Sequence, residues 1–201
     1  SKSRAINLLS AARLFLFGAR DVWFVVALPV FLSDVLGWTF WWVGGFMALW
    51  IVGYGVVQSV APSITGLHKG RIPDGRAAGW WALALCVVPA AIAVALVAGY
   101  PAAPVVVGGL LVFGALFAVN SAVHSFLIVS YAKADGVSLD VGFYYMANAM
   151  GRLLGTVLSG LVYQIGGLVP CLAIAAAFVL LAAVISMALP RGRRPEPPAY
   201  V

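Results

Sequence analysis

The stretch at positions 8–32, LLSAARLFLFGARDVWFVVALPVFL, is apolar enough to cross a bilayer and yet holds Arg13, Arg20 and Asp21. An isolated charge at the centre of a spanning helix costs at least about 2.5–3.5 kcal/mol, so three of them demand a polar cavity or partners on other helices. Other spanning helices must therefore surround this one. Helical residues advance about 100° each, which places Arg13 and Arg20 about 20° apart around the axis and about 10 Å apart along it. They form a two-cation column on one face. The guanidinium fork matches phosphate-like and carboxylate oxygens, so the column points to an anion pathway; the structural alternative is an ion-pair network that locks helices together.

Composition sets the class. The chain is 64% hydrophobic and 9% charged, with mean hydropathy +1.06, against roughly 25% charged residues in average soluble domains. Runs of about 20 apolar residues recur with short polar breaks, as spanning helices require, and exclude a soluble core of this size. The expectation is an all-α, polytopic membrane protein. The chain opens at Ser1 without a Met or a signal peptide, which reads as one domain of a longer polypeptide. Its pI near 9.7 reflects topology rather than nucleic-acid binding, because the basic residues are scattered among short loops.

Six spans are expected, at 6–32, 41–61, 77–98, 104–129, 141–163 and 169–189. They make a six-helix domain over 1–190, followed by a basic, Pro-rich tail at 191–201. Alternate connections then fall on one side and carry Lys2, Arg4, Lys69, Arg71, Arg76, Lys133, Arg191, Arg193 and Arg194, whereas the opposite connections at 33–40, 99–103 and 165–168 carry no Lys or Arg. By the positive-inside rule both termini are cytoplasmic. Trp38, Trp41 and Trp42 at one interface, with Trp80 and Trp81 at the other, read as aromatic belts.

Polar residues are shared unevenly. The third and sixth spans have no charged side chain and read as peripheral and lipid-facing. In the fifth, VGFYYMANAMGRLLGTVLSGLVY, the residues Tyr145, Asn148, Thr156, Ser159 and Tyr163 fall within about 40° of the meridian of Arg152. Gly151, Gly155 and Gly160 lie beside this stripe and suit close helix approach. The fourth span carries Asn120 and His124 about 40° apart, with Ser121 and Ser125 alongside. His124 can relay protons or simply bridge helices. In the second span Tyr54 and Gln58, at i and i+4, suit cavity hydrogen bonding or packing.

Catalysis finds no support. There is no His/Cys/Asp/Glu cluster and no G-x-S-x-G elbow, and the GRIPDG loop at 70–75 lacks the Lys-Ser/Thr of a nucleotide loop. Cys86 and Cys171, in separate spans, suggest neither a metal site nor a disulfide, and no cofactor is expected.

With six spans, both ends inside, and a polarity ranking that favours the first, second, fourth and fifth helices, the chain resembles one half of a major facilitator superfamily transporter. GRLLGTVLSGLVY and the basic loop PSITGLHKGRIPDGR are similar to features of that superfamily. A sharper resemblance lies in SKSRAINLLSAARLFLFGARDVWFVVALPVFL, GYGVVQSVAP and FGALFAVNSAVHSFLIVSYAKADGVSLDVGFYYMANAMGRLLGTVLSGLVYQ. These stretches resemble the C-terminal half of the organoarsenical efflux permease family, ArsJ. The resemblance implies export of 1-arseno-3-phosphoglycerate from the bacterial inner membrane for arsenate resistance, with a functional link to glyceraldehyde-3-phosphate dehydrogenase and proton antiport as the superfamily-level energy source. It also implies a missing N-terminal six-helix half, without which the chain alone does not transport. An arsenate ester carrying phosphate is a compact polyanion, whereas trivalent arsenic favours soft thiolates. Arg13, Arg20 and Arg152 are then the expected anion ligands, with Tyr145, Asn148, Asn120, Tyr54 and Gln58 as orienting donors, and Asp21 and His124 for ion pairing or proton coupling. The rivals are an exporter of another organic anion and a non-transporting membrane scaffold.

Overall fold

The computed structural model describes residues 3–64, 73–132 and 136–190. The tail at 191–201 and the basic residues Lys2, Lys69, Arg71, Lys133, Arg191, Arg193 and Arg194 lie outside the described residues. Of the nine basic residues in the expected inside connections, Arg4 and Arg76 remain.

Everything described is helix and short connection: α1 (Arg4–Phe24), α2 (Ala27–Asp34), α3 (Phe40–Ile64), α4 (Gly75–Val97), α5 (Ala102–Tyr131), α6 (Val137–Gly166) and α7 (Leu168–Met187). Among the described residues five helical stretches are long and apolar enough to cross a membrane, the first running through α1 and α2 as Arg4–Asp34. The others are α3, α4, α5 and α7. The 30-residue α6 has the length for a crossing, but Asp140, Asn148, Arg152 and Gln164 make it more polar than the rest.

The first expected span is broken at Val25 and Val26. Pro29 explains the place, because its ring lacks an N–H and crowds the carbonyl four residues back, at Val25. At the far end of the chain, Gly167 holds φ at 73°. That left-handed turn is open to glycine at little cost and lets α6 pass into α7 within one residue.

α1 is the central element. It lies against α6 on one side and α7 on another, and α7 in turn packs on α4, α4 on α5, and α5 on α3. The expectation of a peripheral sixth span therefore meets a different arrangement, with α7 held between α1 and α4. Its buried face is mostly small, with Cys171, Ala175, Ala182 and Ala183 alongside Leu172 and Val179, which lets two helices approach it at once. The least buried of the five apolar crossings is α3, where Trp41, Leu49, Val52 and Val56 face outward. α6 likewise turns Met146, Met150, Leu153, Val157 and Leu161 outward.

Candidate functional site

The charged cluster is built on the seam between α1 and α6. Helix α6 meets α1 along Gly151, Gly155 and Ser159, which share a buried face with Tyr144 and Asp140. Backbone contact is intimate there: a Cβ on Gly155 would stand 2.6 Å from the carbonyl oxygen of Gly18 and 3.0 Å from Cβ of Asp21, and one on Gly151 would collide with the backbone of Leu14. Counting 100° per residue, the centre of this seam lies about 60° from Arg152, so the polar stripe runs along the edge of the contact. Asn148 and Ser159 reach inward from that edge. Arg152 stands on its outer side, with its side chain 55% exposed.

Three arginines and one carboxylate gather along α1. Arg13 is buried; its Nε donates to Oδ1 of Asn148 at 3.2 Å, and its Nη1 donates to the carbonyl and the hydroxyl of Ser121 at 3.2 and 3.1 Å. Its guanidinium lies 3.9 Å from the ring centre of Phe17 and 5.1 Å from that of Tyr144. Arg20 lies 5.1 Å from the same Phe17 ring and 5.5 Å from Phe117. The two cations of the column expected at i and i+7 thus share the Phe17 ring, whose π-system attracts both. Asp21, almost fully buried, accepts from Nε of Arg20 at 2.6 Å and from Nε of Arg152 at 3.1 Å. The two arginines expected to share one anion converge on one carboxylate of the protein.

Ser159 adds a different contact to the same seam. Its hydroxyl oxygen accepts from the backbone N–H of Val26 at 3.3 Å and of Ala27 at 3.0 Å, two donors exposed by the helix break. Buried backbone donors need such partners, most of all where no water can reach them. The break in the first span and the polar stripe of α6 are therefore one construction.

The remaining expected residues are placed around this cluster. Asn120 and His124 are fully buried on α5, and neither side chain finds a hydrogen-bond partner among the described residues. Tyr54 on α3 stacks on Trp50 with ring centres 5.8 Å apart and touches Phe117 at the same distance, which connects it to Arg20 through an aromatic neighbour. Gln58 is half-buried one turn further along α3. Tyr145 is 52% exposed and makes an edge contact with Tyr144. Tyr144, Phe17 and Phe117 were not expected at the site. Phe17 was readable, since it lies four residues after Arg13 and three before Arg20; the choice of Tyr144 over Tyr145 depends on where the glycine seam points.

A recess of about 240 Å³ opens between α3 and α5, lined by Phe46, Leu49, Trp50, Tyr54, Val57 and Leu111 among others. It is apolar and no arginine borders it. Among the described residues no group of three or more His, Cys, Asp or Glu is placed to hold a metal ion. The free thiols of Cys86 and Cys171 point to backbone carbonyls of Ala176 and Gly167.

The cluster belongs to a helical membrane protein and, among the described residues, brings two arginines onto one buried carboxylate. Comparison with protein-family models, curated proteins and solved structures finds no match to the chain.

Proposed function

We propose that this chain is one six-helix half of a major facilitator superfamily exporter for an anionic organoarsenical, 1-arseno-3-phosphoglycerate, driven by proton antiport. In this reading α6 crosses the membrane with the five more apolar spans, both termini are cytoplasmic in a bacterial inner membrane, and a second six-helix half covers the outward faces of α3 and α6. The observation that carries it is the charge count of the cluster: among the described residues Arg20 and Arg152 meet at Asp21, and Arg13, one cation further along the same helix, is bonded to neutral groups. Among the described residues Arg20 and Arg152 share that one carboxylate and Arg13 has none, so the four groups carry a net surplus of two positive charges. Unpaired charge in a spanning region is costly and is retained where an ion or substrate passes. A mobile oxyanion is the natural complement, and Arg152, half-exposed beside the open face of α6, is where it enters.

A second reading has its own support. Asp21 engages both Arg20 and Arg152, and Nε and Nη1 of Arg13 are bonded to Asn148 on α6 and Ser121 on α5, as a purely structural lock of α1 to its neighbours requires. Arsenate resistance separates the two in cells expressing the full-length protein together with glyceraldehyde-3-phosphate dehydrogenase. Export predicts higher resistance than with the dehydrogenase alone, lost in Arg152→Ala at unchanged expression. Resistance equal in all three strains removes the export reading.

A further inference from the structure

Both contacts to Asp21 use one nitrogen of each guanidinium. Nε of Arg20 goes to Oδ1 and Nε of Arg152 to Oδ2, so one carboxylate holds two forks by their sides. The terminal nitrogens of a guanidinium form a separate donor edge, and that edge grips carboxylate and phosphate oxygens in bidentate fashion. For Arg20 and Arg152 this edge makes no hydrogen bond to a described residue. The surroundings fix the arrangement further. Asp21 sits against the α6 backbone at Gly155, Arg20 lies against the rings of Phe17 and Phe117, and only the Arg152 arm extends into the open.

We propose that Asp21 is a positioning residue, clamping Arg20 and Arg152 through Nε so that their terminal edges face one tetrahedral oxyanion. This rests on the anion-site reading above and assigns to that site its ligand class and its orienting group. The clamp makes a specific demand on Arg152. A lysine can donate from its one nitrogen to Asp21 and to an anion, but it has no second, planar edge to hold two oxygens of the anion while Asp21 fixes the first.

The test is calorimetric titration of inorganic phosphate and of arsenate into the purified protein in lipid nanodiscs, with thermal unfolding of the same samples. Asp21→Asn should weaken binding about tenfold or more, the range in which orienting partners act in other sites. Arg152→Lys, at a half-exposed position that tolerates change, should lose as much affinity as Arg152→Ala. In an Arg152→Ala background Asp21→Asn should have a smaller effect, since the arm it holds is gone. Tighter binding in Asp21→Asn would show a tethered competitor instead of a clamp, and unchanged binding would show neither; both outcomes overturn the proposal while the anion site stands. If Asp21→Asn fails to fold, Arg152→Lys decides alone, and wild-type affinity in that variant overturns the clamp. Absence of phosphate and arsenate binding in the unmodified protein removes the anion site itself, and the clamp with it.

Discussion

The seam of α1 with α6 and the seam of α4 with α7 both bring backbones together through glycine, but they do different things with the closeness. In the first the helices run parallel, as the pairs Leu14 with Gly151 and Gly18 with Gly155 ascend together. In the second they run antiparallel, with Gly75 against Ser186 and Leu189 and Gly79 against Ala183 and Met187. Lipid offers no hydrophobic drive for helices to associate, so van der Waals contact and interhelical hydrogen bonds must do it. The α4–α7 seam uses contact, and the thiol of Cys86 adds one bond to Ala176. The α1–α6 seam has polar groups along its edges, and its short separation brings Asn148 to Arg13, Arg152 to Asp21 and Ser159 to the broken backbone. Close packing is thus the means of building a charged site in one place and an end in itself in the other.

The sharpest way to test that difference is to remove the charge at the centre of the first seam. Asp21→Ala leaves Arg20, whose side chain is 14% exposed, without its partner. Breaking a buried pair from one side costs about 3–5 kcal/mol. Arg152→Ala removes the other partner of the same carboxylate, but at 55% exposure that contact is screened and is worth about 0–1 kcal/mol. Reversible unfolding in mixed micelles measures both, and equal losses would mean that the two arginines share the load. The second comparison is steric. Gly151→Ala drives a Cβ into the Leu14 backbone, which cannot turn aside, and overpacking of this kind costs about 1–3 kcal/mol. Gly79→Ala meets mainly the Met187 side chain, at 2.6 Å, and that flexible chain can swing away. The expected loss is under about 1 kcal/mol, and an equal effect of the two substitutions would erase the distinction between the seams.

Helix positions were legible because they depend on local composition: the expected spans coincide with α1 and α2, α3, α4, α5, α6 and α7 to within a few residues. Pro29 was visible, yet the break it causes at Val25 was not expected, since a helix with one proline can bend or stop depending on what its neighbours offer. Here Ser159 offers an acceptor. The meeting of Arg13, Arg20, Arg152 and Asp21 followed from the cost of intramembrane charge, but not the pairing. Which arginine takes the carboxylate depends on the rotation of α6 about its axis, and the glycines set that rotation, placing Arg152 about 60° from the seam. The place of α7 was missed for a related reason. An alanine-rich helix without charge carries the same pattern whether it faces lipid or two protein neighbours, so composition alone leaves the choice open.

The smallest effects compare two serines with the same burial. Ser159 and Ser186 are both fully buried, one on each seam, and both can be changed to alanine with the loss of a single oxygen. Ser159 accepts from two backbone N–H groups, at Val26 and Ala27, and its removal leaves both without an acceptor where water is scarce. An unsatisfied buried polar group costs about 1–3 kcal/mol, so Ser159→Ala should fall in that range and loosen α2 before the rest of the bundle. Hydrogen exchange at Val26 and Ala27 reads that loosening directly. The hydroxyl of Ser186 has no hydrogen-bond partner among the described residues, and its replacement removes a polar atom that none of them answers, so Ser186→Ala should leave stability unchanged or raise it slightly. A loss in Ser186→Ala as large as in Ser159→Ala would show that the α4–α7 seam also depends on polar contacts, and the contrast between the two seams would go with it.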